Sequence, residues 1–257
     1  MRKTFAILIL SLTCAICIFA TDAFAAMSDE DFFELCKSGT AKQIEEAIQN
    51  GANVNTRDEE GVTTLMMAAF LNSPEVISIL LKNGVDINAK SKDGFTALVM
   101  AAGVNTNPEV ISLLLINGAE INARDREGTT ALMIAASRNI NPEVISVLLI
   151  NGAEINARDR EGTTALMFAA FRNTNPEITS VLLENGADIN AVNGAGRTAL
   201  MVAASSNTNP GIISVLLENG ADAKVKDNDG KKAVDYASEN ENIQGTQTYW
   251  KLNDASF

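Results

Sequence analysis

The stretch 227–230, with the sequence DNDG, has the carboxylate and amide oxygens of a calcium-binding loop. Such a loop needs an oxygen ligand at its first position, a glycine at its sixth and a glutamate at its twelfth. If Gly230 is the sixth residue, the first is Val225 and the twelfth is Tyr236, so two ligands are missing. The sequence therefore predicts no calcium site here.

Acid–base and nucleophilic chemistry also lack their usual residues. The chain has no histidine, which removes the commonest general base and the commonest metal ligand together. Carboxylates recur at regular intervals in charged turns such as 125–127 and 159–161, a pattern typical of a solvated surface. Cys36 is isolated in a short helix, which favours a buried apolar role. We therefore expect a protein that is not an enzyme and needs no metal or cofactor.

The overall charge excludes one class of partner. The chain has 20 Lys and Arg residues and 32 Asp and Glu residues, which gives a net charge of −12. Nucleic acids bind proteins largely through Lys and Arg contacts to phosphate, so an acidic chain is expected to bind no nucleic acid. The sequence contains no phosphate-binding loop and no cysteine cluster. We therefore expect no small-molecule substrate.

The first 25 residues have the pattern of a secretory signal. Arg2 and Lys3 precede an apolar run at 5–20, and the small residues at 23–25 form an A-x-A cleavage site. Cleavage after Ala25 would place the protein in a bacterial periplasm or outside the cell. The alternative is an uncleaved leader that anchors the protein in the membrane, which is the one membrane association we expect.

The rest of the chain is an internal repeat. Glycines recur at steps of 33 or 34 residues, at Gly61, Gly94, Gly128, Gly162, Gly196 and Gly230. The thirteen residues INARDREGTTALM occur twice without a change, at 121–133 and at 155–167. A catalytic site is a single arrangement of residues, whereas a unit that stacks on copies of itself requires such duplication.

Each unit is expected to contain two short helices. Thr130 is placed to cap a first helix at 131–136, and Asn141 to cap a second helix whose first residue is Pro142. Gly152 ends the second helix, because glycine readily adopts the left-handed conformation that such an end requires. One pair cannot bury its apolar faces alone, so its neighbours in the stack must cover them.

These motifs resemble the ankyrin repeat. The chain repeats G-x-T-x-L-x-x-A-A, then V-x-x-L-L-x-x-G-A, then N-A and a D-x-x-G turn, over residues 29–253. The resemblance implies an all-α repeat solenoid, a curved stack of helix pairs with hairpin-like finger loops. It also implies that the protein binds another protein through its fingers and inner helices.

The repeat divides the chain into consecutive units. We predict a signal segment at 1–25 and a repeat domain at 26–257, made of an N-terminal cap unit at 27–57, repeats at 58–90, 91–124, 125–158, 159–192 and 193–226, and a C-terminal cap unit at 227–257. One departure from the family concerns its T-P-L-H motif, which reads TALM at 130–133. The polar tie that the family's histidine makes to neighbouring turns is therefore expected to be absent or replaced by packing.

The resemblance places partner-binding positions on the concave face and the fingers. Those we select are Val62, Phe70, Leu71, Phe95, Val104, Arg126, Arg138, Arg160, Phe171, Arg172 and Arg197. An exposed apolar cluster near the N-terminus is expected from Val62, Phe70, Leu71, Phe95 and Val104. The alternative is that Phe70 and Leu71 pack beneath the adjacent turn. The arginines, with Arg124 and Arg158 beside them, are expected either to bind an acidic strip on a partner or to pair with neighbouring carboxylates.

The sequence thus supports two functional hypotheses. The first is a non-enzymatic protein-binding module that acts outside the cytoplasm. The alternative is a self-associating structural or protective component of the cell envelope.

Overall fold

The computed structural model of this chain describes residues 27–71 and 74–257. Within these residues the protein consists of helix pairs joined by turns, and no strand is present. One isolated antiparallel bridge joins Arg57 to Thr63 at the base of a finger. The predicted signal segment lies outside the described residues.

Each predicted unit contains one helix pair. The first helices, which we call inner helices, are α1 Asp29–Ser38, α3 Thr64–Phe70, α5 Ala97–Val104, α7 Ala131–Arg138, α9 Ala165–Arg172, α11 Ala199–Ser206 and α13 Ala233–Glu239. The second helices, which we call outer helices, are α2 Ala41–Gln49, α4 Pro74–Lys82, α6 Pro108–Ile116, α8 Pro142–Ile150, α10 Pro176–Glu184, α12 Pro210–Glu218 and α14 Gln247–Ala255. The predicted solenoid of short helix pairs is confirmed.

Local sequence sets the helix boundaries as predicted. The Thr130 side chain caps α7 by accepting a hydrogen bond from the backbone N–H of Met133. Asn141 caps α8 in the same way, with Pro142 as its first helical residue. After α8, Gly152 has a φ of 93°, a left-handed conformation that strains other residues.

Alanine residues allow the inner helices to approach one another closely. Ala101 and Ala102 of α5 and Ala135 and Ala136 of α7 are all fully buried. The inner helices of adjacent repeats pack against each other more extensively than the outer helices do. Since closer packing on the inner side curves a stack of helix pairs towards that side, we call the exposed side of the inner helices the concave face and that of the outer helices the convex face.

A single hydrophobic core runs the length of the stack, from Phe32 in α1 to Leu252 in α14. In the central repeat, Leu132 of α7 and Ile145 and Leu148 of α8 are almost completely buried. Each repeat therefore completes the core of its neighbours, as expected for a unit that cannot fold alone. Among residues 27–71 and 74–257, no helix is long and apolar enough to cross a membrane.

Candidate functional site

An acidic or amide side chain holds the finger before most inner helices, and the hydroxyl of Ser91 holds the finger before α5. In one finger, Asp125 Oδ1 accepts hydrogen bonds from the backbone N–H groups of Glu127 at 2.9 Å and Thr129 at 2.7 Å. Gly128, with a φ of 82°, reverses the chain direction. The tip residues Arg126 and Glu127 consequently project into solvent.

The same arrangement recurs in other fingers, which explains the spacing of the carboxylates. The equivalent side chains that accept two backbone N–H groups are Asp58, Asp159, Asn193 and Asp227. Because one oxygen of each carboxylate is occupied in this way, these residues hold turns in place. The DNDG stretch is one such finger.

Adjacent fingers are connected to each other. The backbone N–H of Arg126 donates to the carbonyl of Asp93 at 3.0 Å, and their side chains form an exposed ion pair with N–O 3.9 Å apart. An exposed pair of this kind contributes at most about 1 kcal/mol. Pairing with a neighbouring carboxylate therefore accounts for Arg126. The exposed side chain of Arg160 makes no ion pair with any described residue.

The predicted apolar positions near the N-terminus divide into two groups. Phe70, Leu71 and Val104 are exposed to 41%, 44% and 43%, far more than the core side chains. Val62 and Phe95 are half-buried and pack against the core. The exposed cluster is thus smaller than predicted. We call Phe70, Leu71 and Val104, at the C-terminal ends of α3 and α5, the apolar patch.

On the next two inner helices, arginines occupy the positions equivalent to those of the apolar patch. Leu71, Val104, Arg138 and Arg172 each lie ten residues after their finger glycine, so they occupy equivalent places on successive inner helices. Arg138 and Arg172 are exposed and make no ion pair within the described residues. The concave face therefore changes from apolar to cationic along the stack.

A groove with a cavity volume of about 290 Å³ opens between α9 and α11. Phe168, Phe171 and Val202 provide its apolar surface, and Glu161 and Arg197 lie at its polar edge. The Arg172 guanidinium lies 5.1 Å from the centre of the Phe171 ring, close enough for a cation–π contact. This volume is near the lower limit for small-molecule sites, so the groove suits an inserted side chain.

Phe168 is a groove residue that the selected positions did not include. It stands where the other central inner helices carry Met67, Met100, Ile134 and Val202. Among these equivalent positions of successive repeats, Phe168 is the aromatic residue, and this is the signal in the sequence that indicates it. The family resemblance supplied positions only at the finger tips and at the ends of the inner helices. Phe168 is half-buried one turn before such a helix end, so it was not among them.

Arg197 is held by the C-terminal cap unit. Its guanidinium lies 4.8 Å from the centre of the Tyr236 ring, and Nε lies 3.6 Å from Asp227 Oδ2. The Tyr236 hydroxyl donates a hydrogen bond to the same carboxylate. This bond is the main reason that the pKa of Asp227 lies below its usual 3.8, and backbone N–H groups and Arg197 add to it. The same bond raises the pKa of Tyr236.

A ladder of buried asparagines connects the repeats. Its members are Asn105, Asn139, Asn173, Asn207 and Asn240. Asn139 Nδ2 donates to the carbonyls of Ala102 and Asn105 in the preceding repeat, both at 2.9 Å, and its Oδ1 accepts from the N–H of Asn141. At the position of the family's histidine, Met133 is buried in the core, and the asparagine amides supply a polar tie between repeats at the other end of the inner helix.

A second ladder runs along the loops after the outer helices. Asn122 Nδ2 donates to the Gly152 carbonyl of the following repeat at 3.2 Å. Arg124 Nη1 donates to the Arg158 carbonyl at 2.7 Å, and Arg158 makes the equivalent bond to Val192. Arg124 and Arg158 are thus engaged between repeats. The exposed arginines of the described chain whose side chains make no hydrogen bond or ion pair are Arg138, Arg160 and Arg172.

The remaining reactive groups do not form a site. Cys36 is buried in α1, and burial raises the pKa of its thiol to about 12. Since the thiolate is the nucleophilic form, Cys36 acts as a small apolar side chain. In the part of the chain that the structure describes, no three His, Cys, Asp or Glu residues are grouped so that they could hold a metal ion.

Stacked helix pairs, one continuous core and projecting fingers define an all-α repeat solenoid. Family models described as ankyrin repeats match this chain at residues 32–125 and 100–193 (three copies) and at 182–237 (many copies). Because these matches cover well over half of the sequence, the chain belongs to the ankyrin repeat family. Ankyrin repeats are generally protein-interaction modules.

A solved structure has the same architecture. The crystal structure of the human ASB11 ankyrin repeat domain matches with a TM-score of 0.76 and 24% sequence identity. The match covers 87% of this chain and 96% of that domain. At this identity the likeness shows the fold alone. A search of the curated proteins found no match.

Proposed function

We propose that this protein is a non-enzymatic binding module that acts outside the cytoplasm and holds another protein on its concave face and fingers. One observation carries the proposal. Equivalent positions on four successive inner helices, from Leu71 to Arg172, form an exposed row that is first apolar and then cationic. Neither the core nor the asparagine ladders use these side chains, so their exposure has no structural explanation.

The row indicates the chemistry of the partner. An apolar segment would cover the patch at Phe70, Leu71 and Val104, since buried apolar and aromatic side chains are the usual anchors of an interface. Carboxylates would then face Arg138 and Arg172, because guanidinium groups bind them in a bidentate manner. The groove beside Phe171 would receive one partner side chain. The expected ligand is thus a protein segment with an apolar end and an acidic end.

Four observations support a protein ligand and a role other than catalysis. The finger carboxylates are engaged in holding turns, and Cys36 is buried with a raised thiol pKa. The net charge of −12 disfavours nucleic acid. The groove is small for a metabolite or cofactor, so a protein ligand fits the surface better than a small-molecule substrate.

Action outside the cytoplasm is supported by the sequence of the leader. The charged start, the apolar run and the A-x-A site have the order of a signal that is removed during export. The test is N-terminal sequencing of the protein recovered from cells that express the full-length chain. A start at Ala26 supports export with cleavage, whereas a start at Met1 in a membrane fraction indicates the anchored alternative.

Crosslinking followed by affinity capture from an envelope fraction tests the binding surface. Phe70→Asp combined with Val104→Asp should reduce capture at least tenfold, because hot-spot side chains typically each contribute about 2 kcal/mol or more. Ile140→Asp is the matched control, since Ile140 is 68% exposed in the turn between α7 and α8 and is not part of the apolar patch. Circular dichroism should be unchanged in both variants. Equal capture by the double variant and the control would contradict the proposal.

A further inference from the structure

The outer helices carry two exposed isoleucines that neither the core nor the concave face uses. Ile116 ends α6 and Ile150 ends α8, and their exposed fractions are 78% and 84%. Leu113 and Val147, one turn earlier on the same helices, are half-buried beside them. The result is an apolar stripe on the convex side of the stack, two helices wide.

Charged residues of opposite sign flank the stripe. The equivalent final residue is Lys82 on α4 and Glu184 on α10, and both are exposed. Neither makes an ion pair with a described residue, whereas Glu218 on α12 lies 3.9 Å from Lys251. A carboxylate at a helix C-terminus is unfavourable to the helix dipole, so Glu184 is not explained by the stability of its own helix.

We propose that this surface is the contact between two copies of the chain in a back-to-back homodimer. A two-fold axis parallel to the outer helices and midway between α6 and α8 exchanges the order of the repeats. It would bring Ile116 of one copy against Ile150 of a second copy. The same axis would bring Lys82 against Glu184, twice. The order Lys, Ile, Ile, Glu is therefore complementary to itself, as a two-fold interface requires.

This complementarity favours a second copy over other occupants. If the occupant were a different protein, the residues on this surface would not need to be complementary to the same residues in reverse order. An anionic membrane surface would repel a chain of net charge −12. The concave face remains open in such a dimer, so the inference is independent of the proposed function and would give the assembly two binding faces.

The dimensions indicate a weak dimer. Each of the four outer helices has nine residues and is therefore about 13 Å long. At about 10 Å between helices, the full length of the four helices covers roughly 500 Å² per copy, an upper limit that is already at the low end for protein interfaces. The axis also brings Glu109 near Glu143, about 10 Å from the isoleucines along the helix. This repulsion limits the contact to the C-terminal ends of the helices.

Sedimentation equilibrium tests the proposal on protein produced from the full-length sequence and purified as the cell processes it. From about 1 μM to about 1 mM, the wild-type protein should change reversibly from monomer to dimer. Ile116→Ser combined with Ile150→Ser should raise the dissociation constant at least tenfold. Ile140→Ser, an exposed isoleucine away from the stripe, should leave it unchanged. Thermal unfolding of each variant would show that the fold is retained.

A charge exchange distinguishes a two-fold contact from nonspecific association. Lys82→Glu and Glu184→Lys should each weaken the dimer severalfold, and the two substitutions together should restore it. Because every variant has the same N-terminus, any contribution from that segment is equal in all of them. A wild-type protein that stays monomeric throughout would overturn the proposal, as would a dimer that the isoleucine and charge variants leave unchanged.

Discussion

At the scale of single residues, a buried threonine of α10 lacks a hydrogen-bond partner. Thr179 of α10 is fully buried, and its hydroxyl makes no hydrogen bond with the described residues. Ile77, Ile111, Ile145 and Ile213 occupy the equivalent place in the other outer helices and are buried as well. Burial of an unpaired hydroxyl is unfavourable, so this position lowers the stability of its repeat.

Replacing Thr179 with valine should raise the free energy of unfolding by about 1–2 kcal/mol, because it removes the unpaired hydroxyl at nearly constant volume. Urea denaturation measures the change. Thr64→Val is the matched control, since the buried Thr64 hydroxyl donates to the Val54 carbonyl at 2.6 Å. That substitution should destabilise the protein. A loss of stability in both variants would show that the Thr179 hydroxyl is satisfied in solution.

The C-terminal cap unit should respond to acid through Asp227. Because the pKa of this carboxyl is lowered in the folded protein, its contribution to stability is complete above its usual pKa of 3.8. The contribution is lost as the pH falls below that value and through the folded pKa. In urea denaturation between about pH 6 and pH 2.5, Asp227→Asn should therefore weaken the acid dependence of stability.

Tyr236→Phe provides the complementary measurement, because it removes the hydrogen bond that lowers the pKa of Asp227 most. Because the folded pKa of Asp227 then moves towards 3.8, the acid-induced loss of stability should be smaller than in the wild-type protein and should be complete at a higher pH. If both variants followed the wild-type curve, the Asp227 carboxylate would not contribute to acid stability.

At the scale of elements, the junction between repeats depends on amide side chains as well as on apolar packing. Asn139 is buried and makes three hydrogen bonds, two of them to the preceding repeat. Asn139→Ala should reduce the free energy of unfolding by about 2–4 kcal/mol, because it leaves buried backbone groups unpaired. Chemical denaturation checks this value.

Asn151→Ala is the control for that measurement. Asn151 is exposed at the end of α8 and donates within its own repeat, to the Val147 carbonyl. Because water can replace this bond, the loss should stay below about 1 kcal/mol. Equal losses at Asn139 and Asn151 would mean that the buried ladder contributes no more than an exposed helix end.

The caps and turns could be predicted from sequence because each depends on residues a few positions apart. Thr130, Asn141 and Gly152 perform the local roles that their types indicate. The asparagine ladder depends on contacts between residues 34 and 37 positions apart, so its partners are visible only once the repeats are stacked. The sequence does contain its signal, an asparagine two residues before each Asn-Pro cap from Asn139 to Asn207.

At the scale of the whole molecule, the duplicated segments at 121–133 and 155–167 form equivalent junctions. Deleting residues 134–167 joins Met133 to Phe168 and recreates the sequence that surrounds Met167. The shortened chain should fold, because each repeat contacts only its neighbours. The slope of its unfolding free energy against denaturant concentration (the m-value) should fall by roughly one seventh, in proportion to the surface removed.

A deletion of residues 134–163 is the control for this prediction. It removes four residues fewer, so the finger and the following helix lose their register with the neighbouring repeats. Circular dichroism and urea denaturation should show a folded protein for the first deletion and a cooperative transition lost or greatly weakened for the second. Two folded proteins of similar stability would show that register at this junction is unimportant.

The candidate binding surface could be predicted only in part at this scale. The resemblance placed Phe70, Val104 and Arg172 on the concave face, where the structure has them exposed. It did not separate them from Phe95, which is half-buried, because the packing of Phe95 against the core becomes visible only in the folded stack. The convex stripe at Ile116 and Ile150 lay outside the positions that the resemblance supplied.

The two ladders have a mechanical consequence for this chain. Near the inner helices, Asn139 donates to the preceding repeat, whereas along the loops Asn122 and Arg124 donate to the following one. Each junction between repeats is thus held by hydrogen bonds at two edges, and the donors at the two edges belong to different repeats. A force that pulls the two chain ends apart acts on all of these junctions in series. Rupture of one junction leaves the others intact. The stack should therefore lengthen in discrete steps of about 12 nm, the extended length of one 34-residue repeat.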